Sequence, residues 1–301
     1  MRVLYNSILL SKFANSNIYR TMKMAKLKIW MVALTLIMGV FLTSCINNDT
    51  DPIYRNGVYT KCVSFYPPTF QLENGQKLVV SGSSTTSFKE GEIYLLYFQF
   101  NTEEQSADAP SINVTLYNGI EPVAMNAKSS EGPIGISEST KANAPLYAFN
   151  SVVPTSSGNA QIEPFAMFNN EYLMITSAYW VKQVSGDDIE KELAKHAFAL
   201  TYDLENVEEG DDELVLTINH IITETSEEEV TRNVYTLTTK AYPLTSALYA
   251  FQSKAGQKPT KIKVIGQVNT SKNSLEGATE QVWEYTCLLY TSPSPRDTER
   301  S

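Results

Sequence analysis

Cysteine is nearly missing from this chain of 301 residues: there are three, at positions 45, 62 and 287, and histidine occurs only at 196 and 220. Cys45 is read below as lipidated and Cys287 as foreign, so no intramolecular disulfide is expected, although an oxidising compartment would permit one. Cys62 sits in Val58–Phe65, an apolar, β-branched run with no nearby histidine, and reads as a small buried strand residue rather than a reactive thiol. There is no phosphate-binding G-x-x-x-x-G-K-S/T loop, no G-x-G-x-x-G, no C-x-x-C, no G-x-S-x-G elbow and no repeat of fixed period, which removes the motif-bearing nucleotide, redox and hydrolase classes. The longest apolar run, Ile29 to Leu42, is too short for a spanning helix. Basic residues are also few. The chain carries 24 Lys and Arg against 33 Asp and Glu, and residues 45–286 alone hold 16 against 31. So acidic a body repels nucleic acid and anionic lipid and keeps the protein soluble and monomeric.

What is present begins with an address. Lys23, Lys26 and Lys28 precede the run Ile29–Leu42, and Leu42-Thr43-Ser44-Cys45 closes it. A basic region, a short apolar core and small residues before a cysteine form a lipoprotein signal with its lipobox. Cleavage before Cys45 leaves a thiol that carries lipid, with acyl chains contributing about 0.8 kcal/mol per buried CH₂. Residues 1–44 are the signal, and Met22 or Met24 is the expected true start. Residues 45–52 are a tether whose Asp49 and Asp51 loosely match export signals to the cell surface; a periplasm-facing position on the outer membrane is the alternative. At the far end, Cys287-Leu288-Leu289-Tyr290-Thr291-Ser292-Pro293-Ser294-Pro295-Arg296-Asp297 resembles the translation of a sequencing adapter, so 287–301 is read as foreign to the protein.

The body reads as all-β in two parts. Over 53–128, short β-branched and aromatic runs lie between Gly, Pro and Asn: Gly57–Phe65, Lys77–Val80, Glu92–Phe100, Ile112–Leu116 and Ile120–Ala124. Asn74-Gly75 and Asn118-Gly119 are turn signals. Five strands in this length fit a small OB-like barrel, and the nearly continuous apolar run Ile93–Phe100 predicts a strand buried on both sides. Residues 129–145, rich in Ser, Gly, Lys and Ala, read as a linker or long surface loop. Over 146–286 the alternation is cleaner. Phe198, Leu200, Tyr202 and Leu204 share one face, as do Leu214, Leu216 and Ile218, and further strands are predicted at Tyr172–Lys182, Val234–Thr239, Lys261–Gly266 and Gln281–Tyr285. An antiparallel β-sandwich follows. One helix is predicted, Asp187–Lys195, with Ile189 and Leu193 facing inward.

The lipoprotein leader, the OB-like segment and the series Asn170-Glu171-Tyr172-Leu173, His196-Ala197-Phe198-Ala199-Leu200 and Leu214-Val215-Leu216-Thr217-Ile218-Asn219-His220 together resemble the NigD-like family of Bacteroidota lipoproteins. That resemblance implies an N-terminal OB domain, a C-terminal β-sandwich and an exported accessory role associated with bacteriocin operons. It brings no catalytic residues. The chain departs from the family pattern before Tyr172, where Met167-Phe168-Asn169-Asn170 stands in place of an aromatic-Gly/Ser segment.

The chemistry-bearing residues are few. A hairpin pairing Leu200 with Leu216 puts Phe198 opposite Ile218 and His196 opposite His220. Two imidazoles supply part of a metal site, yet zinc usually needs three or four protein ligands and no Cys or carboxylate lies at ligand spacing, so a structural pair is expected. The acidic connection Asp203 to Glu213 lacks calcium-loop order and reads as a solvated turn, as does Glu227–Glu229. The expectation is a cell-envelope lipoprotein that binds or scaffolds through loops and edges, with no cofactor. Its partners are the membrane, through Cys45, and an envelope protein or glycan. The rivals are an immunity lipoprotein and a hydrolase or metal-dependent enzyme built on His196, His220 and a carboxylate brought near by folding.

Overall fold

The computed structural model describes residues 52–82, 87–149, 152–155, 158–161, 166–223 and 230–286. The lipobox, nearly all of the tether, Glu227–Glu229 and the adapter-like string lie outside the described residues. Strand β1 (Ile53–Phe65) is long because it serves two neighbours. Its first nine residues pair with β4 (Ile93–Asn101), and its end, from Lys61 to Phe65, pairs with β2 (Pro68–Gln71) across an irregularity between Cys62 and Ser64. With β3 (Lys77–Val80) and β5 (Ser111–Leu116) the order is β1-β2-β3-β5-β4 and back to β1, a closed five-stranded barrel in which β3 and β5 run parallel. The short β6 (Val123–Ala124) extends the sheet from β4. Cys62, Phe70, Leu78, Tyr94, Leu96, Ile112 and Val114 fill the barrel. Phe70, Phe88 and Tyr94 meet edge-on there with ring centroids 5.1 to 5.7 Å apart.

The second part is one curled sheet. Its strands are β7 (Ile134–Gly135), β8 (Leu146–Ala148), β11 (Ala166–Phe168), β12 (Tyr172–Val181), β13 (His196–Tyr202), β14 (Glu213–Ile222), β15 (Val234–Pro243), β16 (Lys261–Val268) and β17 (Thr279–Thr286), while β9 (Val152–Thr155) and β10 (Gly158–Gln161) make a separate hairpin. The main path runs β11-β12-β8-β16-β14-β13-β7, with β15 beside β12 and β17 beside β16. Three-residue β8 touches β16 through a single pair, Leu146 with Val268, so the sheet narrows there and its halves fold face to face. Tyr179 on β12 accordingly meets Phe198 on β13 at 4.8 Å, and the Tyr242 hydroxyl donates to the Phe198 carbonyl at 3.3 Å. Most pairs are antiparallel. β14 and β16 run parallel because β15 and helix α2 (Thr245–Ala255) lie between them in the chain and carry it back.

Helix α2 is an addition to the sequence reading, which predicted only the helix observed as α1 (Asp188–Leu193). Its inward residues Ala247, Phe251 and Ala255 recur every four positions and close the core below Leu214 and Leu244, and Gly256 ends it at φ 76°. In α1 the expected inward face is reversed: Leu193 is 38% exposed and Glu192 is 3% exposed.

The two parts share backbone. Met125 donates to the Ile93 carbonyl on the barrel and accepts from Ala241 on the sheet, Ala127 donates to Ala241, and the Asn126 carboxamide accepts from the Ile93 amide. The Tyr172 hydroxyl reaches the Gly91 carbonyl at 2.7 Å, and Lys61 pairs with Glu171. Residues 129–145, expected as a linker or surface loop, run bound along the curled sheet. Glu131 is buried and pairs with Lys240, Pro133 accepts from Ser246, β7 pairs with β13, and Asn143 and Ala144 donate to His220. Among the described residues no helix is long and apolar enough to cross a membrane.

Gly132 is the tightest point of that run. It adopts φ 103°, and a Cβ there would lie 2.1 Å from the Leu200 carbonyl oxygen, a clash with backbone that no rotamer relieves. Gly132→Ala is therefore expected to cost on the order of 3 kcal/mol, against a few tenths at most for Gly135→Ala in the same run, where the φ suits any residue and the space is open. Urea unfolding of the two variants checks this, and equal midpoints would show that the 129–145 run is not held as described.

Candidate functional site

The two histidines meet at the end of the sandwich core, but not in the predicted register. Phe198 pairs with His220, Leu200 with Ile218 and Tyr202 with Leu216, two residues away from the expected alignment. A shift by two leaves every side chain on the same face, so the apolar alternation that places the residues cannot tell one such register from the next. The connection decides it: Leu204 and Val207 pack on the core, and Lys254 binds the Leu204 and Glu205 carbonyls, which takes chain that a tight turn would have released to the strands. His196 and His220 thus sit diagonally, with His196 Nδ1 2.9 Å from His220 Nε2.

A buried carboxylate completes the cluster. Glu192 Oε1 accepts the Lys182 amide at 2.9 Å and Arg232 Nε at 2.9 Å, while Lys195 Nζ lies 3.4 Å from Oε2. His196 Nε2 faces Oε1 at 3.5 Å. On the other side His220 Nδ1 is 2.9 Å from the Pro145 carbonyl. That carbonyl can only accept, so Nδ1 of His220 carries the proton; its Nε2 then accepts in the neutral ring, which makes His196 Nδ1 the donor to it. Neutral His196 consequently presents an Nε2 lone pair to a carboxylate. The 3.5 Å gap, longer than a hydrogen bond, is what two facing acceptors give.

Burial sets the charge states. Desolvation pushes His220 down to about 3, against the pull of the Pro145 carbonyl. It also lowers His196, with Glu192 opposing and Arg232 and Lys195 adding to the effect. Desolvation works against the Glu192 carboxylate too, but the Lys182 amide and Arg232, together with His196 when it is charged, hold the group below the usual carboxylate range. Both imidazoles are therefore neutral at neutral pH beside an ionised glutamate. Tyr179 lies 5.0 Å from the His196 ring and 5.4 Å from His220, and its hydroxyl is raised by burial. Phe198 stacks on His220 at 5.0 Å and 7°.

This arrangement holds a proton or a charge but offers little to a substrate, since the His196 side chain is fully buried. Zinc shared by the pair would need both facing nitrogens to aim lone pairs at one point about 2 Å away; here they aim at each other. Among the described residues no group of three or more His, Cys, Asp or Glu is arranged to hold a metal. Ligand spacing in the sequence assigns no carboxylate to either histidine. Glu192 and Arg232 join them only in the fold, and the one signal in the sequence is the helical spacing of four between Glu192 and His196. Cys62 lies fully buried in β1, with its thiol raised by burial. The acidic connection spends carboxylates on its own chain: Asp203 caps the Glu205 amide, Asp211 the Glu208 amide, and Asp212 accepts from Thr260.

Because Glu192 is the acceptor shared by an amide and a guanidinium in a buried setting, Glu192→Ala is expected to destabilise the protein by about 3 kcal/mol. Asp188→Ala, which removes only the exposed Asp188–Lys191 pair on the same helix, is expected to leave the denaturant midpoint unchanged. Chemical denaturation of both variants checks the contrast, and similar midpoints would mean that the Glu192 cluster adds nothing to the fold.

No family model and no curated protein matches the chain. Among solved structures, a Bacteroides fragilis protein provisionally named a lipoprotein is similar over 77% of this chain and 97% of its own, with a TM-score of 0.63 and 24% identity. A protein of unknown function from Bacteroides vulgatus, placed in the DUF1344 group, covers 80% of this chain and 95% of its own, with a TM-score of 0.47 and 14% identity. The first likeness establishes the fold, a small barrel followed by a curled sheet.

Proposed function

We propose that this chain is a lipid-anchored protein of the cell envelope that acts as a non-catalytic binding or structural accessory module. The observation that carries the reading is a spacing. The lipobox ends at Cys45, a polar stem covers 46–52, and Ile53 is already the first residue of β1. At roughly 3.5 Å per residue such a stem spans at most about 25 Å, so a lipid on Cys45 holds the barrel close to its bilayer. The chemistry-bearing residues support an accessory role, because Glu192, His196 and His220 are committed to one another inside the core. The name of the Bacteroides fragilis neighbour agrees with the anchor, and the resemblance to NigD-like lipoproteins adds the finer proposal of an outer-membrane accessory protein in a Bacteroidota-type envelope. Asp49 and Asp51 loosely match a surface-export signal, so the cell surface is the face put to the test, with the periplasm-facing position as its alternative.

Cys45→Ala is expected to move the protein from the membrane fraction to the soluble fraction with its circular dichroism and thermal midpoint unchanged, since both cores are built from residues well beyond Cys45. Retention of the variant through carbonate and high-salt washes would overturn the lipid anchor. Protease added to intact cells is expected to digest the wild type; protection until the outer membrane is opened would place it on the periplasmic side.

A further inference from the structure

The histidine pair pins a specific piece of chain. His220 Nδ1 donates to Pro145, the His220 carbonyl accepts from the Asn143 and Ala144 amides, and the Asn143 side chain binds both backbone groups of Ile222. This segment leads into β8, the three-residue strand on which the sheet narrows. The charged and titratable groups facing the pair are Glu192 from α1, Lys195 from the turn after it, Arg232 from the chain before β15, and the Tyr179 ring from β12.

We propose that His196 and His220 form a two-step acid latch on residues 143–145: a first proton settles on His196 Nε2 against Glu192 and keeps the latch shut, and a second, on His220, opens it. The order follows from the donors and acceptors. His196 Nε2 has a carboxylate in front of it, so a proton there turns two facing acceptors into a hydrogen-bonded ion pair and disturbs no other bond. His220 has no such place. Its Nδ1 already donates to Pro145, and a proton on Nε2 would point at the Nδ1 proton of His196 across 2.9 Å. The ring must then leave its site between Phe198 and Tyr179, and the Pro145 carbonyl loses its donor. The sign is that of a histidine depressed in the closed state. Burial holds His220 down to about 3, whereas an opened ring returns to about 6.5, so the open form binds the extra proton. Opening is flat above pH 6.5 and rises about tenfold per pH unit between there and about 3.

With only two histidines in the chain, ring nitrogen-15 spectra of the folded protein read both steps directly. At pH 7.5 both rings are expected as the Nδ1–H tautomer, against the usual preference of free histidine. On acidification His196 is expected to become imidazolium while His220 is still neutral and the segment is closed in most molecules. Protection of Asn143, Ala144 and β8 is expected to be flat above pH 6.5 and to fall by about tenfold per pH unit below it, while β12 stays protected. Glu192→Gln is expected to move the His196 step to lower pH and leave the neutral His220 tautomer in place. If that variant does not fold, the wild-type titration decides alone. The proposal is overturned by Nε2–H tautomers at neutral pH, by His220 titrating before His196, or by loss of protection at 143–148 and β12 together.

Discussion

From Leu173 to Val181, strand β12 has no residue facing water, and most of the molecule is arranged to make that possible. Leu173, Ile175, Tyr179 and Val181 on one side belong to the sandwich core. Met174, Ala178 and Trp180 on the other are just as deeply buried but lie outside that cluster. The first half of β4, Ile93 to Leu96, has the same character, with Ile93 and Leu95 buried outside the barrel core. Two doubly buried strands require cover on both faces, since each large apolar side chain left in water forfeits roughly 1.5–3 kcal/mol. The shared segment 125–127 and the links from Tyr172 to Gly91 and Lys61 to Glu171 show how that cover is held in place: the barrel and the curled sheet are fastened to each other rather than joined by a flexible linker.

The second organising cost is polar. Taking Glu192, Arg232 and two histidines out of water is unfavourable unless hydrogen bonds replace the solvent. The replacement here ties together five separate stretches of chain, contributed by Pro145, Lys182, Glu192 with His196, His220 and Arg232. Such a cluster at the end of a sandwich serves as a clasp. It also explains why α1 turns its carboxylate inward and leaves Leu193 partly exposed: the apolar gain of burying one leucine is smaller than the cost of a buried amide and guanidinium without their acceptor.

Alternation of apolar and polar residues is a local property, and what it controls was legible in the chain. Lys77–Val80 was read at its observed limits and Tyr172–Lys182 to within one residue, because period two shows within a few positions. The all-β class follows from counting those runs, but the barrel takes Pro68–Gln71 as a strand in place of the predicted Ile120–Ala124, which is only the short β6 beside it; the missing alternation of Ile93–Phe100 gives burial on both sides from Ile93 to Leu96, while Tyr97 and Gln99 stay partly exposed. The extra helix Thr245–Ala255 escaped because two of its inward positions are alanines, whose small side chains make a faint stripe. Residues 129–145 escaped because small polar residues look alike whether they cross solvent or lie along a sheet edge.

The amino-acid sequence by itself determined the long strands, the faces they bury, the class of fold and the placement of His196 and His220 on one core face. Tertiary structure alone decided the register that sets the histidines diagonally, the inward turn of Glu192 and the arrival of Arg232 and Pro145 beside them. The physical reason is one of range. Face and period are set by residues a few positions apart, whereas register and charge pairing depend on what a folded connection leaves free and on which buried donor has nowhere else to turn.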